Sequence, residues 1–207
     1  MTAACPDRSS RPCGCSSRSI AKTTARADKR RLACVQGVKQ IELFVDTVIE
    51  DARWDELGLA ALADRAVLAV LINLGLPHLG LSLCLLGCDD ARIAALNADF
   101  RGKPTPTNVL SWPDEDLSPD IEGDLPLLPV PGTAEDPQSL GNIAIAYETC
   151  THEAVAEGKP VADHVTHLIV HGMLHVLGYD HQRDADAARM EATEVAILAS
   201  LGIPDPY

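Results

Sequence analysis

The segment HGMLHVLGYDH, beginning at His171, constrains the fold more than any other part of the chain, because it gathers three of the seven histidines around a predicted helix end. His171 and His175 are four residues apart, so on a helix they share one face, one turn apart. Apolar periodicity predicts that helix over residues 163–177. Gly178 allows the left-handed backbone that ends a helix. His181 then arrives from beyond the helix and can face the other two imidazoles.

Three neutral imidazoles at His171, His175 and His181 could reach one ion about 2 Å from each ring nitrogen. Such a set leaves the fourth tetrahedral position for water, which is typical of a catalytic rather than a structural zinc site. The motif therefore predicts one bound Zn²⁺ ion, although nickel and copper also accept nitrogen ligands. The alternative is a group of helix histidines that only pack against their neighbours.

Four polar side chains flank the predicted ligands in the sequence. His164 and His167 lie on the same predicted helix, farther back, and we expect them to support the ligands or to be partly exposed rather than to bind the ion. Asp180 and Asp184 follow the helix and could hold a ligand imidazole in orientation.

The spacing of the histidines and the glycine matches the metzincin protease motif H-E-x-x-H-x-x-G-x-x-H. The residue after the first histidine differs, because Gly172 stands where the protease has its general-base glutamate. This substitution disfavours a peptidase and favours a hydrolase with different proton handling.

Charge is divided unevenly along the chain. Residues 1–40 hold nine Lys and Arg against two Asp and Glu, a balance of +7, whereas residues 41–207 have a balance of −20, which gives the net charge of −13. We call residues 41–207 the acidic body. A phosphate polymer would be repelled by the acidic body unless its few cations were concentrated at one place.

Turn residues and apolar patterns predict an α+β fold, a mixed sheet of about four strands packed with about five helices. The predicted strands are 41–48, 79–86, 108–112 and 140–146. The predicted helices are one from an Asp55 cap to about Leu74, then 91–100 after Asp89 or Asp90 and ended by Gly102, 147–157, 163–177 capped by Asp163, and 184–201. Residues 114–139, acidic and rich in Pro and Gly, are predicted to be irregular.

The first 38 residues lack apolar periodicity and predict a disordered basic N-terminal extension, with a composition also like that of an organelle transit peptide. Residues 39–207 are predicted to form a single domain. The seven cysteines lack the paired spacing of a disulfide framework, which favours a reducing compartment. No apolar run approaches the roughly 18 residues of a membrane helix. We therefore expect a cytoplasmic protein.

A second block, RGKPTPTNVLSWP over Arg101–Pro113, together with HGMLHVLGYDH, resembles the YbeY endoribonucleases, whose first motif reads R-G-K-x-x-P-T-N-V-L-S-F-P. The segments LGNIAIA and EGKP follow in the same order, and the resemblance covers about residues 40–207. It implies a zinc ion held by His171, His175 and His181 and a mixed sheet with helices, distantly like zinc proteases. It also implies cleavage of single-stranded RNA, trimming of the 3′ end of small-subunit rRNA, and a part in ribosome quality control.

The resemblance places the family's functional arginine on Arg101. Independently, Arg101 and Lys103 are the only cations between Arg92 and Lys159, so a guanidinium there could grip a scissile phosphate. The alternative is a C-terminal helix arginine that interacts with the helix dipole.

Polar residues of the same block, Thr107, Asn108 and Ser111, could line one cleft with Arg101, but the sequence assigns them no roles. The sequence departs from the family at Asn142. The family commonly has an acidic residue after the Leu-Gly of the strand that is predicted here at 140–146. A carboxylate function at that position is therefore in doubt.

The function expected from these observations is that of a zinc-dependent, single-strand-specific endoribonuclease in rRNA maturation. Its partners would be single-stranded RNA and the small ribosomal subunit or its proteins, without a membrane. The general base, and whether the ribose 2′-hydroxyl takes part, stay open. Two alternatives are a non-catalytic zinc-containing ribosome-assembly factor and a metallopeptidase.

Overall fold

The computed structural model of the protein describes residues 44–207, which form a four-stranded sheet and six helices. The strands are β1 (Phe44–Ile49), β2 (Leu81–Cys88), β3 (Val109–Pro113) and β4 (Gln138–Ala146). The helices are α1 (Arg53–Leu57), α2 (Leu59–Asn73), α3 (Asp90–Arg101), α4 (Tyr147–Ala156), α5 (Val161–Val176) and α6 (Asp184–Ser200). The predicted α+β class with a mixed sheet is confirmed. The predicted N-terminal extension and residues 41–43 of the predicted first strand lie outside the described residues.

The sheet has the strand order β1-β2-β4-β3. β1, β2 and β4 are parallel, and β3 is antiparallel to β4 at the edge. Alternation along β2 sends Leu81, Leu83 and Leu85 into the larger core, which α2, α5 and α6 share. Cys88 belongs to a smaller core with Ile93 of α3 on the opposite face. Helices therefore cover both faces, as buried parallel strands require.

A β-bulge in β4 sets which residues of that strand face the larger core. Ser82 of β2 pairs with Ser139, but Cys84 pairs with Asn142, so β4 carries one extra residue between these pairs. The shift lets Leu140 and Ile143, three residues apart, both enter the larger core. Beyond the bulge, Gly141 to Ile145 of β4 pair with the edge strand β3.

The helix predicted from Asp55 to Leu74 is two helices, so the structure has six helices instead of about five. Gly58 has φ of +77° and breaks the helix, and Asp55 lies inside α1 instead of capping it. Trp54 of α1 is fully buried, and its indole N–H donates to the Cys88 carbonyl at 2.9 Å. Gly87 makes this packing possible, because a Cβ atom there would lie 2.8 Å from Trp54.

The structure confirms the predicted capping residues of α3 but not that of α5. The Asp89 side chain caps α3 by accepting the Arg92 N–H at 2.7 Å, and Gly102 ends α3 with left-handed backbone. The prediction that Asp163 caps α5 is wrong. That helix begins at Val161 after Pro160, and the Asp163 N–H donates to the Pro160 carbonyl within the first turn.

The irregular segment between β3 and β4, residues 114–137, is fastened to the start of α6. Asp186 accepts the Gly123 N–H at 2.8 Å, and Arg189 donates to the Gly123 carbonyl at 2.9 Å. Arg183 reaches the Pro119 carbonyl at 3.2 Å. The connection therefore has a defined position beside the turn after α5. Within residues 44–207, no helix combines the length and apolar composition that a bilayer crossing requires.

Candidate metal centre and cleft

The C-terminal half of α5 carries His171 and His175 to the mouth of a cleft. The apolar face of α5, including Ile169, Met173 and Leu174, is buried in the larger core, which fixes the direction of the two imidazoles. Their Nε2 atoms lie 3.1 Å apart and their ring centroids 4.7 Å apart. The predicted one-turn spacing thus points both Nε2 atoms at the same place.

His181 joins these two imidazoles through the turn at Gly178. Gly178 has φ of +87°, and a Cβ atom there would lie 2.5 Å from the carbonyl carbon of Leu117. Glycine is therefore needed both for the backbone conformation and for the close approach of Leu117. Beyond the turn, the His181 ring centroid lies 4.9 Å from that of His175 and 5.6 Å from that of His171.

The histidine cluster, defined as His171, His175 and His181, could hold a metal ion. One ring nitrogen from each residue lies within 4.8 Å of the other two. Two nitrogens that each bind one tetrahedral zinc ion at about 2.0–2.1 Å are about 3.3 Å apart, close to the 3.1 Å between the two Nε2 atoms. Three imidazoles without a carboxylate suit zinc better than magnesium or calcium.

His175 is held in the tautomer that a metal ligand requires. Its Nδ1 lies 3.0 Å from the Tyr179 carbonyl oxygen, which can only accept, so Nδ1 carries the proton and Nε2 is free to bind an ion. Burial, with further contributions from His171 and His181, lowers the pKa of His175 to about 4. The ring is therefore neutral near neutral pH.

A buried glutamate that the sequence reasoning missed supports His171 from behind. Glu194 of α6 is 0% exposed, and its Oε1 lies 3.3 Å from Nδ1 of His171 and 3.2 Å from Nε2 of His167. The Tyr207 hydroxyl donates to Oε2. Burial alone would raise the pKa of Glu194, but His167, His171 and Tyr207 together lower it to about 2.

A signal for this glutamate is present in the sequence. Glu194 falls between Met190, Ile197 and Leu198 at helical spacing, and all four are buried. A charged residue inside an apolar stripe indicates a partner in the interior, because an unpaired buried carboxylate is too costly.

The other flanking residues behave differently from one another. Neither His164 nor His167 belongs to the histidine cluster. His167 contacts Glu194, which also contacts His171, as expected for a supporting residue. The expectation for His164 is wrong, because it is buried with its Nε2 3.0 Å from Glu153. The prediction that Asp180 or Asp184 orients a ligand ring is wrong, because neither carboxylate is hydrogen-bonded to a ring of the histidine cluster among residues 44–207. Asp180 accepts the backbone N–H of His181 at 2.7 Å instead. The acceptors near ligand rings are Glu194 and the Tyr179 carbonyl.

The cleft in front of the histidine cluster has a volume of about 590 Å³ and contains Arg101. Arg101 is the last residue of α3, its side chain is exposed, and it forms no hydrogen bond or ion pair with any residue of 44–207. The carboxylates of Glu115, Asp116 and Asp180 also line the cleft. Arg101 is the one cation among these lining residues of the described chain, so it is the group there that can attract an anion.

Polar residues of the RGKPTPTNVLSWP block line the same cleft, as expected for Thr107, Asn108 and Ser111. The Asn108 side chain is engaged locally, because its Nδ2 donates to Glu153 at 3.0 Å and its Oδ1 accepts the Val109 N–H at 2.7 Å. These bonds fix the start of β3 along the cleft. Asn142 is exposed and does not line the cleft.

Gly172 faces the sheet. A Cβ atom built on it would lie 3.3 Å from the Ile143 side chain and 3.4 Å from that of Val109. The Cβ atom of a glutamate at this position would require these side chains to shift by a few tenths of an ångström. The tight packing of α5 on the sheet is the physical reason for glycine here.

Known proteins resemble this chain over most of its length. The sequence model of the family described as endoribonuclease YbeY matches residues 46–202. A protein named endoribonuclease YbeY from Dinoroseobacter shibae is 59% identical over 165 residues, covering 79% of this chain and 90% of that protein. Its namesake from Cereibacter sphaeroides is 59% identical over 167 residues, covering 81% of this chain and 100% of that protein.

Among solved structures, the solution structure of TM1509 from Thermotoga maritima matches with a TM-score of 0.49 and 19% identity, covering 76% of this chain and 89% of that one. The extent and identity of the sequence matches establish the relationship. The chain belongs to the YbeY endoribonuclease family.

Proposed function

We propose that this protein is a zinc-dependent endoribonuclease that cleaves single-stranded RNA in the maturation of small-subunit rRNA. The observation that carries the proposal is the presence of the histidine cluster and an unpaired Arg101 in one cleft of a chain from this family. We further propose that it works in the cytoplasm with the small ribosomal subunit or its proteins as partners.

His171, His175 and His181 would hold the ion, and the donor set and spacing fit zinc. Zinc in a site with three protein ligands supplies Lewis acidity and lowers the pKa of a water molecule in the remaining position. The protein's own part is to keep the imidazoles neutral and correctly rotated. For His175, burial favours the neutral ring and the Tyr179 carbonyl fixes its rotation.

Arg101 would bind the scissile phosphate. A guanidinium can donate two parallel hydrogen bonds to phosphate oxygens and stabilise the charge that develops on them during cleavage. Glu115, Asp116 and Asp180 of the cleft repel an RNA backbone. Arg101 would therefore have to offset this repulsion as well as bind the phosphate. Reversing the charge of Arg101 would leave the cleft without a cation from residues 44–207.

Two routes for the attack stay open, water as the nucleophile or the ribose 2′-hydroxyl. They differ in their need for ribose. A DNA strand of the same sequence lacks the 2′-hydroxyl, so cleavage of that strand would exclude the second route.

The two alternative functions are less well supported. A peptidase of the metzincin type needs a glutamate at position 172, where glycine packs against Ile143 and Val109. A purely structural zinc site usually has four protein ligands, and the cluster among the described residues has three.

The proposal is tested with purified protein incubated with single-stranded RNA, DNA of the same sequence and casein, each with and without a chelator. We expect chelator-sensitive cleavage of RNA and none of casein. Cleavage of casein would support the peptidase. Metal binding without any cleavage would support the assembly factor.

The role of Arg101 is tested with Arg101→Glu and a matched control, Arg92→Glu. Both residues lie on α3, but Arg92 pairs with Glu50 outside the cleft. Arg101→Glu should retain the metal by elemental analysis and lose RNA cleavage, whereas Arg92→Glu should retain both. Wild-type turnover by Arg101→Glu would show that Arg101 is a bystander.

A further inference from the structure

We propose that Glu194 is a positioning residue for the metal centre, which fixes the ring of His171 so that its Nε2 faces the ion. The inference rests on the proposed metal site of the histidine cluster. It assigns a role to a residue of α6, outside both motifs that suggested the function.

The geometry places Glu194 and the ion site at opposite ends of one imidazole. Oε1 of Glu194 lies 3.3 Å from Nδ1 of His171, while Nε2 of His171 lies 3.1 Å from Nε2 of His175. A carboxylate beside Nδ1 favours the tautomer that carries its proton there, which leaves Nε2 unprotonated and free to face the ion. The same oxygen lies 3.2 Å from Nε2 of His167, which helps to hold it in place.

The complete burial of Glu194 supports a functional role for its contact with His171. The side chain is 0% exposed and occupies a helix position whose neighbours Met190 and Ile197 are apolar. A leucine could fill such a position without the desolvation cost of a carboxyl group. A carboxyl group is well suited, however, to supporting a histidine ligand.

The two helix histidines are supported in different ways. For His175 the acceptor is the main-chain carbonyl of Tyr179, which side-chain substitution leaves in place. For His171 the neighbouring group is the carboxylate of Glu194, whose Oε1 lies 3.3 Å from Nδ1. Among residues 44–207, Glu194 is therefore a side chain that supports a ligand ring without being a ligand. Its substitution removes the support and leaves the three ligands in place.

The experiment compares Glu194→Gln and Glu194→Leu with a matched control, Glu191→Gln, at an exposed position of the same helix. Three quantities are measured: the zinc dissociation constant by chelator competition, the visible spectrum of the cobalt-substituted protein, and the urea stability of the metal-free protein. We expect Glu194→Gln to weaken zinc binding by about tenfold and Glu194→Leu by up to about 100-fold. The cobalt spectrum should change in both, and Glu191→Gln should match the wild type.

A purely structural role gives a different pattern. In that case Glu194→Leu would lower the stability of the metal-free protein, while any variant that still folds would bind zinc with wild-type affinity. Zinc affinity within twofold of the wild type in folded Glu194→Gln overturns the inference.

A measurement on the wild-type protein makes the test independent of how the variants fold. Nitrogen-15 NMR of the zinc-loaded protein should show His171 with its proton on Nδ1 and the ion on Nε2. An ion on Nδ1 would overturn the inference. If the wild type bound no zinc at all, the proposed function would fail first, so the two failures are distinguishable.

Discussion

Replacing Gly178 by alanine should damage both the stability of the protein and the geometry of the metal centre. Gly178 has φ of +87°, and an added Cβ atom would lie 2.5 Å from the carbonyl carbon and 2.7 Å from the carbonyl oxygen of Leu117. Left-handed backbone costs a residue other than glycine about 1–2 kcal/mol. Overpacking against neighbours typically costs about 1–3 kcal/mol more. The expected loss in the free energy of unfolding is therefore about 2–5 kcal/mol.

Gly158 provides the matched control for this substitution. It ends α4 with φ of +65°, but a Cβ atom there would meet nothing within 4 Å among the described residues. Gly158→Ala should therefore cost only the backbone term, about 1–2 kcal/mol. The difference between the two variants isolates the clash with Leu117.

The assay is urea unfolding of both metal-free variants, followed by zinc titration. Gly178→Ala should be the less stable by about 1–3 kcal/mol. It should also bind zinc more weakly, because relief of the clash moves the turn that carries His181. Equal losses of stability in the two variants, or wild-type zinc affinity in Gly178→Ala, would refute this reasoning.

Three further outcomes are expected. Gly87→Ala should lower the free energy of unfolding by about 1–3 kcal/mol, because its Cβ would lie 2.5 Å from Leu59, and unchanged urea unfolding would contradict this. The metal-free protein should lose stability as pH falls from about 6.5 to about 4. In that window His175 takes up a proton in the unfolded chain, whereas its pKa in the folded protein is lowered to about 4. Urea unfolding at pH 7 and pH 5 measures this, and His175→Gln should show a smaller difference. Asp186→Ala should free the Gly123 N–H and speed proteolytic cleavage within residues 114–137, and an unchanged cleavage rate would argue against this anchor.

The parts of the site that the sequence predicted are those set by local geometry. His171 and His175 share a helix face because the helical repeat puts residues four apart on one side. Gly178 ends the helix because left-handed backbone at that point favours glycine. The resemblance to the family indicated Arg101 as a functional residue, and Arg101 lies in the same cleft as the histidine cluster.

The missed features depend on contacts between distant segments. Glu194 meets His171 because α6 packs beside α5, and helical periodicity within either segment does not reveal that pairing. The break at Gly58 was hidden because α1 and α2 together look like one amphipathic run. Both helices pack on β2, where Gly87 leaves the space that Trp54 of α1 and Leu59 of α2 fill. The start of α5 at Val161 reflects Pro160, whose ring fixes φ at the helix entrance, and not the acidic residue after it.

X-ray absorption spectroscopy of the protein as purified tests the central claim most directly. We expect one zinc ion bound by three imidazole nitrogens at about 2.0–2.1 Å, with a fourth, exchangeable light-atom ligand. A zinc–sulfur distance of about 2.3 Å, a fourth ligand from the protein, or zinc retained at full occupancy by His171→Ala would contradict it.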